Sequence, residues 1–307
     1  MAAKWTAQQI PALTGKTALI TGANSGIGYQ AALELARHGA HVLLAVRNPA
    51  KGQEALIRLL REAPGASAEV VELDVASLQS ILSFSKTFAA TGRPLDILIN
   101  NAGVMALPTR ELTADGFERQ FGTNHLGHFA LTGLLIPQLL AAPEPRVVTV
   151  SSLAHRNGKI DFNNLQSENS YVPWDAYNAS KLANLLFALE LARKAVGGKL
   201  SSLACHPGVS TTSIFQYSKG FDPKRIAVKL LAPLLFQNDE NGALPTLYAA
   251  TSPTAKSGEY IGPSGPGNLK GSPAIELPKP QALDTAVAKR LWTVSEQLTG
   301  VTYPPLT

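Results

Sequence analysis

The chain has 307 residues, 45% of them hydrophobic and 16% charged, with one cysteine and a formal net charge of +5. That is enough apolar mass to bury a core without staples, and the lone Cys205 excludes both an intrachain disulfide framework and a cysteine zinc cluster. The small basic excess comes without a long basic run, which argues against nucleic-acid binding.

The opening MAAKWTAQQIPALTGK has polar residues and Pro11 where a secretory signal needs an unbroken apolar core. No apolar run reaches the roughly 18 residues of a spanning helix; the best, Ile226 to Phe236, is interrupted by Lys229 and Pro233. These features predict a soluble cytoplasmic protein with no stable membrane insertion. Short aliphatic runs then alternate with helix-period segments, the pattern of an α/β fold built on a parallel sheet. Strands are expected at Thr17 to Thr21, His41 to Val46, Ala68 to Leu73, Leu95 to Ile99, Arg146 to Ser151, Leu200 to Cys205 and Glu259 to Ile261, and helices at 26–38, 50–62, 77–90, 113–141, 174–196 and 240–251. Residues 253–307 read as a Gly/Pro-rich tail that wraps the surface before a last helix, Asp284 to Leu298, and the whole of 1–307 reads as a single domain.

The first strand runs into TGANSGIG, whose Gly22, Gly26 and Gly28 fall on the turn into the first helix. Backbone N–H groups and the helix dipole favour an anion there, glycine allows close approach, and Asn24 and Ser25 add short polar groups. A tight turn that merely needs small residues would read the same way. The second strand tips the balance toward a dinucleotide. No Asp or Glu lies between Glu34 and Glu54 to grip a ribose diol, and Arg47 stands at the strand end, where a guanidinium pairs with a 2′-phosphate. NADP(H) is therefore expected over NAD. Asp74 ends the third strand, placed to accept from an adenine amino group, and Asn100 to Gly103 close the fourth, Asn100 serving either structure or ligand.

Chemistry enters with YNASK. Tyr177 and Lys181 are four apart on a helical pattern, so they share a face, and an ammonium there lowers the phenol's pKa by favouring the phenolate. Ser151 and Ser152 sit at the carboxyl end of a buried strand, where open parallel sheets place their ligands, and a hydroxyl there can hold a carbonyl. Asn124 lies in the middle of the predicted long helix, where its poor propensity points to another purpose. The histidines His38, His41, His125, His128, His155 and His206 lack metal-ligand spacing, so no metal is expected.

Taken in order, TGANSGIG, LDV, NNAG, the asparagine of TNHLGHF, the serine of VSS, YNASK and HPG resemble the short-chain dehydrogenases/reductases over nearly the whole chain. The resemblance implies a Rossmann-like doubly wound sheet of about seven parallel strands. It makes Tyr177 the general acid/base and Ser152, 25 positions before it, the substrate-orienting hydroxyl. Lys181 becomes the pKa modifier and nicotinamide-ribose contact, and Asn124 the holder of a relay water. It makes Gly22, Gly26 and Gly28 the pyrophosphate turn, Arg47 the 2′-phosphate contact, and Asp74 and Asn101 adenosine-side contacts. Ile27, Val75, Ala102, Gly103, Pro207, Gly208, Val209 and Thr211 complete the cofactor wall. VRNPAKG, ENGALPTLYAAT and RLWTVSEQLTGV are similar to the retinol dehydrogenase-like branch and its soluble bacterial relatives. Such relatives often form homo-oligomers through the helices expected at 113–141 and 174–196.

Residues 212–238, rich in Phe and Leu, read as a substrate lid, so the expected partner is a small hydrophobic ketone, aldehyde or alcohol. Two other readings stay open. A sugar-nucleotide epimerase or dehydratase would use the same Tyr-Lys pair with a larger C-terminal domain. A non-enzymatic NADPH sensor or scaffold would show eroded catalytic positions.

Overall fold

The computed structural model describes residues 4–209 and 237–306. Within them one sheet runs in the order β3-β2-β1-β4-β5-β6-β7-β8. The strands are β1 (Thr17–Thr21), β2 (His41–Val46), β3 (Ser67–Glu72), β4 (Ile97–Asn100), β5 (Arg146–Val150), β6 (Ser201–Cys205), β7 (Tyr260–Pro263) and β8 (Pro273–Ile275). The first seven are parallel, in the register Thr17↔His41 between β1 and β2 and Val150↔Cys205 between β5 and β6. To these expected strands the molecule adds an eighth, β8, which runs antiparallel to β7 with Ile261 opposite Ile275.

Alternation along buried strands builds both faces of this doubly wound α/β sheet. Ala18, Ile20, Val42 and Leu44 pack against α1 (Gly26–Arg37) and α7 (Asp239–Thr251), while Leu19, Leu43 and Leu98 pack against α3 (Leu78–Ala90) and α5 (Gly127–Ala141). The two remaining helices of the wrap are α2 (Pro49–Glu62) and α6 (Pro173–Lys194). Strand order reverses between β1 and β4, so the carboxyl ends of the central strands open a crevice, the usual ligand position in such sheets. No helix among the described residues is long and apolar enough to cross a membrane.

One expectation is corrected and one is extended. The helix predicted over 113–141 starts at Arg119: residues 112–118 form a small hairpin with Leu112 bridged to Glu118, turned by Asp115 and a Gly116 at φ 83°. Asp-Gly chemistry overrode the helical pattern. From Arg119 a short α4 (Arg119–Phe121) runs through a wider π-turn, Gly122–Leu126, into α5. The tail carries the strand β7 and the last helix expected of it and adds the unexpected β8. The last helix, α8 (Thr285–Thr299), lays Trp292 on Phe129 and Phe187 at ring separations of 5.1 and 5.9 Å, covering α5 and α6.

Candidate functional site

A cleft of about 800 Å³ runs along the carboxyl ends of the strands. The glycine turn forms one wall, with Gly22 at φ 68° and Gly26 at φ 57°. A Cβ on Gly28 would lie 2.5 Å from Asn101 Nδ2 and 2.6 Å from Gly22 O, so this glycine lets α1 press onto the strand ends. Asn24, Ser25 and Ile27 line the same wall, and Ser25 occupies the N-cap of α1 without a side-chain cap bond. A cradle too tight for a Cβ, opening on a helix N-terminus, fits a pyrophosphate.

One end of the cleft is formed by residues that follow β2 and β3. Arg47 is exposed and lines it, with Asp74 and Val75. Asp74 also accepts from Ala76 N at 2.9 Å, which shapes its own turn. Asn101, Ala102 and Gly103 line the floor, and Asn101 Nδ2 donates to Thr21 O at 2.7 Å. Asn100 is buried away from the cleft, donating to Thr132 Oγ1 at 3.0 Å, so its structural reading holds.

The other end gathers the residues expected to react. Ser152, Tyr177 and Lys181 line it together with Pro207, Gly208 and Val209. Ser151 also lines the cleft, but its hydroxyl is committed to Lys181 O at 2.7 Å, leaving Ser152 as the serine that hydrogen-bonds the Tyr177 phenol. Burial pushes that phenol above its ordinary pKa, and the hydrogen bond from Ser152 draws it back only partly. The expected net lowering by Lys181 is not seen, because its ammonium donates to Val150 O at 3.1 Å and lies 5.9 Å from the Tyr177 ring centre. Burial lowers Lys181 itself to about 8.

Asn124 lies in the π-turn, a widening often associated with functional positions. Its Oδ1 accepts from Val104 N at 2.8 Å, and its Nδ2 donates to Val104 O and Ser180 Oγ, both at 2.9 Å. This side chain therefore spends both amide protons on protein partners and locks the segment after Gly103 onto α6 through Ser180, which in turn donates to Tyr177 O at 2.8 Å. Gly103 fits between them, since a Cβ there would stand 3.0 Å from Asn124 Oδ1 and 3.5 Å from Lys181 Nζ.

Several residues of the site escaped the sequence reading. Thr21 Oγ1 accepts from Asn101 N and Ala102 N, both at 2.9 Å, and so holds the strand ends of β1 and β4 in register. Trp174, 55% exposed, lines the mouth and meets the Tyr177 ring edge-on at 5.9 Å. An aromatic three positions before the tyrosine was the available signal. Met105, Val104 and Leu153 extend the same apolar rim. Thr211 and all of the expected lid, 212–238, except Gln237 and Asn238, lie outside the described residues.

A family model described as short chain dehydrogenase matches residues 16–221. Retinol dehydrogenase 14 of Mus musculus is 41% identical over 299 residues, covering 94% of this chain and 86% of that protein. Polyprenol dehydrogenase of Mus musculus is 39% identical over 297 residues, covering 95% of this chain and 86% of that protein. The crystal structure of an uncharacterized protein from Mycobacterium paratuberculosis has a TM-score of 0.80 at 41% identity, covering 98% of this chain and 100% of that one. A doubly wound sheet with a glycine-turn cleft, matched by this family along most of its length, makes the chain a member of the short-chain dehydrogenases, an oxidoreductase family, and retinol dehydrogenase-like within it.

Proposed function

We propose that the chain interconverts a hydrophobic ketone or aldehyde with its alcohol using NADP(H), with Tyr177 as general acid/base. The observation that carries this reading is that Ser152, Tyr177 and Lys181 share one cleft with the glycine turn and Arg47. Arg47 and the absence of an acid between Glu34 and Glu54 support the phosphorylated cofactor. The apolar rim of Val104, Met105, Leu153 and Trp174 supports an apolar substrate. The names of the retinol and polyprenol dehydrogenases point the same way.

The cofactor, when bound, supplies or takes the hydride. Ser152 and Tyr177 orient the carbonyl oxygen with their hydroxyls. Tyr177, a phenol that is protonated at neutral pH and whose pKa burial raises further, gives its proton to that oxygen in reduction and takes one back in oxidation. Gly22 and Gly26 would hold the pyrophosphate, Arg47 the 2′-phosphate, and Asp74, Val75 and Asn101 the adenosine side. Lys181 would bond the nicotinamide ribose, and Asn124 fixes the segment after Gly103. The site has all four reactive positions filled, which favours an enzyme over a sensor.

The test is to mix the protein with NADPH or NADH and a panel of hydrophobic carbonyls, following absorbance of the reduced nicotinamide. Turnover with NADPH that is lost in Tyr177→Phe supports the assignment; turnover that survives the substitution rejects it.

A further inference from the structure

The half of the cleft that holds Ser152 and Tyr177 is closed by the turn Pro207–Gly208–Val209 after β6, and that turn is fastened from outside the strand that carries it. Gly208 sits at φ 70°, a conformation that glycine adopts readily and that turns the chain here. Its N–H donates to His206 Nδ1 at 3.1 Å. A nitrogen that accepts carries no proton, so the ring proton resides on Nε2 and is donated to Glu276 Oε2 at 2.7 Å. Glu276 follows β8 in the tail. Its side chain is 9% exposed and the His206 side chain is fully buried.

The second oxygen of Glu276 accepts from Arg156 Nη2 at 2.9 Å, and Arg156 belongs to the turn 153–157 that follows Ser152. Arg156 also donates to Asn268 Oδ1 at 2.7 Å and to Gly267 O at 3.2 Å. One carboxylate thus ties together the backbone after β5 and the backbone after β6, the two strand ends that flank the reacting groups. The strand beneath is shaped for it: a Cβ on Gly262 would collide with His206 Nε2 and would lie 2.7 Å from Glu276 Oε2. The tail adds a further hold, because Val209 N donates to Leu269 O at 3.0 Å.

We propose that Glu276, acting through His206 and Arg156, is a positioning residue that sets the wall of the cleft on the nicotinamide side. The proposal rests on the cofactor reading above for which end of the cleft takes which half of the dinucleotide. Arg47 and Asp74, at the adenosine end, follow β2 and β3 and have no part in the Glu276 network. Loss of the carboxylate should therefore loosen one half of the ligand and spare the other.

The experiment compares NADPH, read by its fluorescence, with 2′,5′-ADP, a probe of the adenosine half alone, read by calorimetry. Glu276→Ala is expected to weaken NADPH about tenfold and lower kcat by on the order of tenfold to a hundredfold, the cost of slight misplacement at a reacting centre. Affinity for 2′,5′-ADP should stay within about twofold, since its phosphate contacts lie elsewhere. Glu276→Gln keeps one acceptor, for His206, while its amide N–H faces Arg156, and should fall between the wild type and the alanine variant in NADPH affinity, whereas His206→Asn keeps an acceptor for Gly208 but severs the link and should resemble the alanine variant. Should Glu276→Ala fail to fold, the Gln and Asn variants decide the question. Equal weakening of both ligands, or no change in either, overturns the proposal. If the wild type binds 2′,5′-ADP no better than 5′-ADP, the NADP reading fails instead, and NADH with 5′-ADP then carries the same comparison.

Discussion

Thr21 Oγ1 lies 2.9 Å from His128 Nε2 across the point where strand order reverses. On its far side the ring's Nδ1 faces Asn124 O at 2.9 Å, an oxygen that can only accept, so Nδ1 holds the proton. Burial keeps His128 neutral down to about pH 4, which makes Nε2 an acceptor for the Thr21 hydroxyl. That hydroxyl spends its lone pairs on Asn101 N and Ala102 N. One neutral imidazole thus joins the π-turn of Asn124 to the strand ends that floor the cleft.

Protonating this ring would break the chain of bonds, with a definite consequence for stability. The folded pKa is depressed to about 4, so the unfolded chain binds the extra proton first. Stability is present above pH 6.5 and is lost as pH falls toward 4, by on the order of 3 kcal/mol for this residue. Buried His125, lowered to about 3, adds in the same direction. Thermal melts between pH 7 and 4.5 should show the decline, and His128→Gln should flatten part of it. Identical slopes in the two proteins would contradict this account.

Tyr177→Phe removes one hydroxyl while leaving the ring against Trp174. Turnover is expected to fall by about a thousandfold, within the range for loss of a general acid, while NADPH binding stays nearly intact. The raised pKa of Tyr177 adds a directional expectation. Carbonyl reduction, which needs the protonated phenol, should hold steady through neutral pH, and alcohol oxidation should accelerate as pH rises above it. Rate profiles in both directions check the sign, and an oxidation rate that declines on the alkaline side would refute it.

Lys181 titrates near pH 8 because it is buried. Below that pH it is an ammonium and attracts an anionic ligand; above it the charge is gone. Cofactor affinity should therefore weaken as pH passes through about 8, and Lys181→Met should bind more weakly with much of that dependence removed. Fluorescence titrations across pH 6.5 to 9.5 measure it; a dependence unaltered in the variant would exclude Lys181 as its source.

On the proposed NADP(H) reading, Arg47 is the residue that should separate the two cofactors. Arg47→Ala should lose about tenfold to a hundredfold in NADPH affinity, the worth of charged hydrogen bonds to a phosphate, with little effect on NADH. Parallel titrations with both nucleotides decide this, and equal losses for the two would assign Arg47 no phosphate role.

How much of this was legible beforehand varies with the range of the interactions. The glycine turn, Arg47 and the Tyr177–Lys181 pair could be read directly, because strand-to-helix turns and helical spacing are local and leave their period in the chain. The start of the helix before Asn124 was misplaced for an equally local reason, the turn at Asp115 and Gly116. Spacing to Tyr177 favours Ser152 over Ser151; the fold commits the Ser151 hydroxyl to the carbonyl of Lys181, 30 residues away in sequence.

By itself the sequence determined the alternating α/β order and the glycine turn after the first strand, and it named the candidate reactive side chains, since each depends on neighbours within about one helical turn or one strand. Only the tertiary structure decided that the Tyr177 pKa is raised rather than lowered, that His128 is neutral, and that Glu276 reaches His206 across 70 positions. Those outcomes depend on burial and on partners distant along the chain, and neither leaves a periodic mark in the sequence.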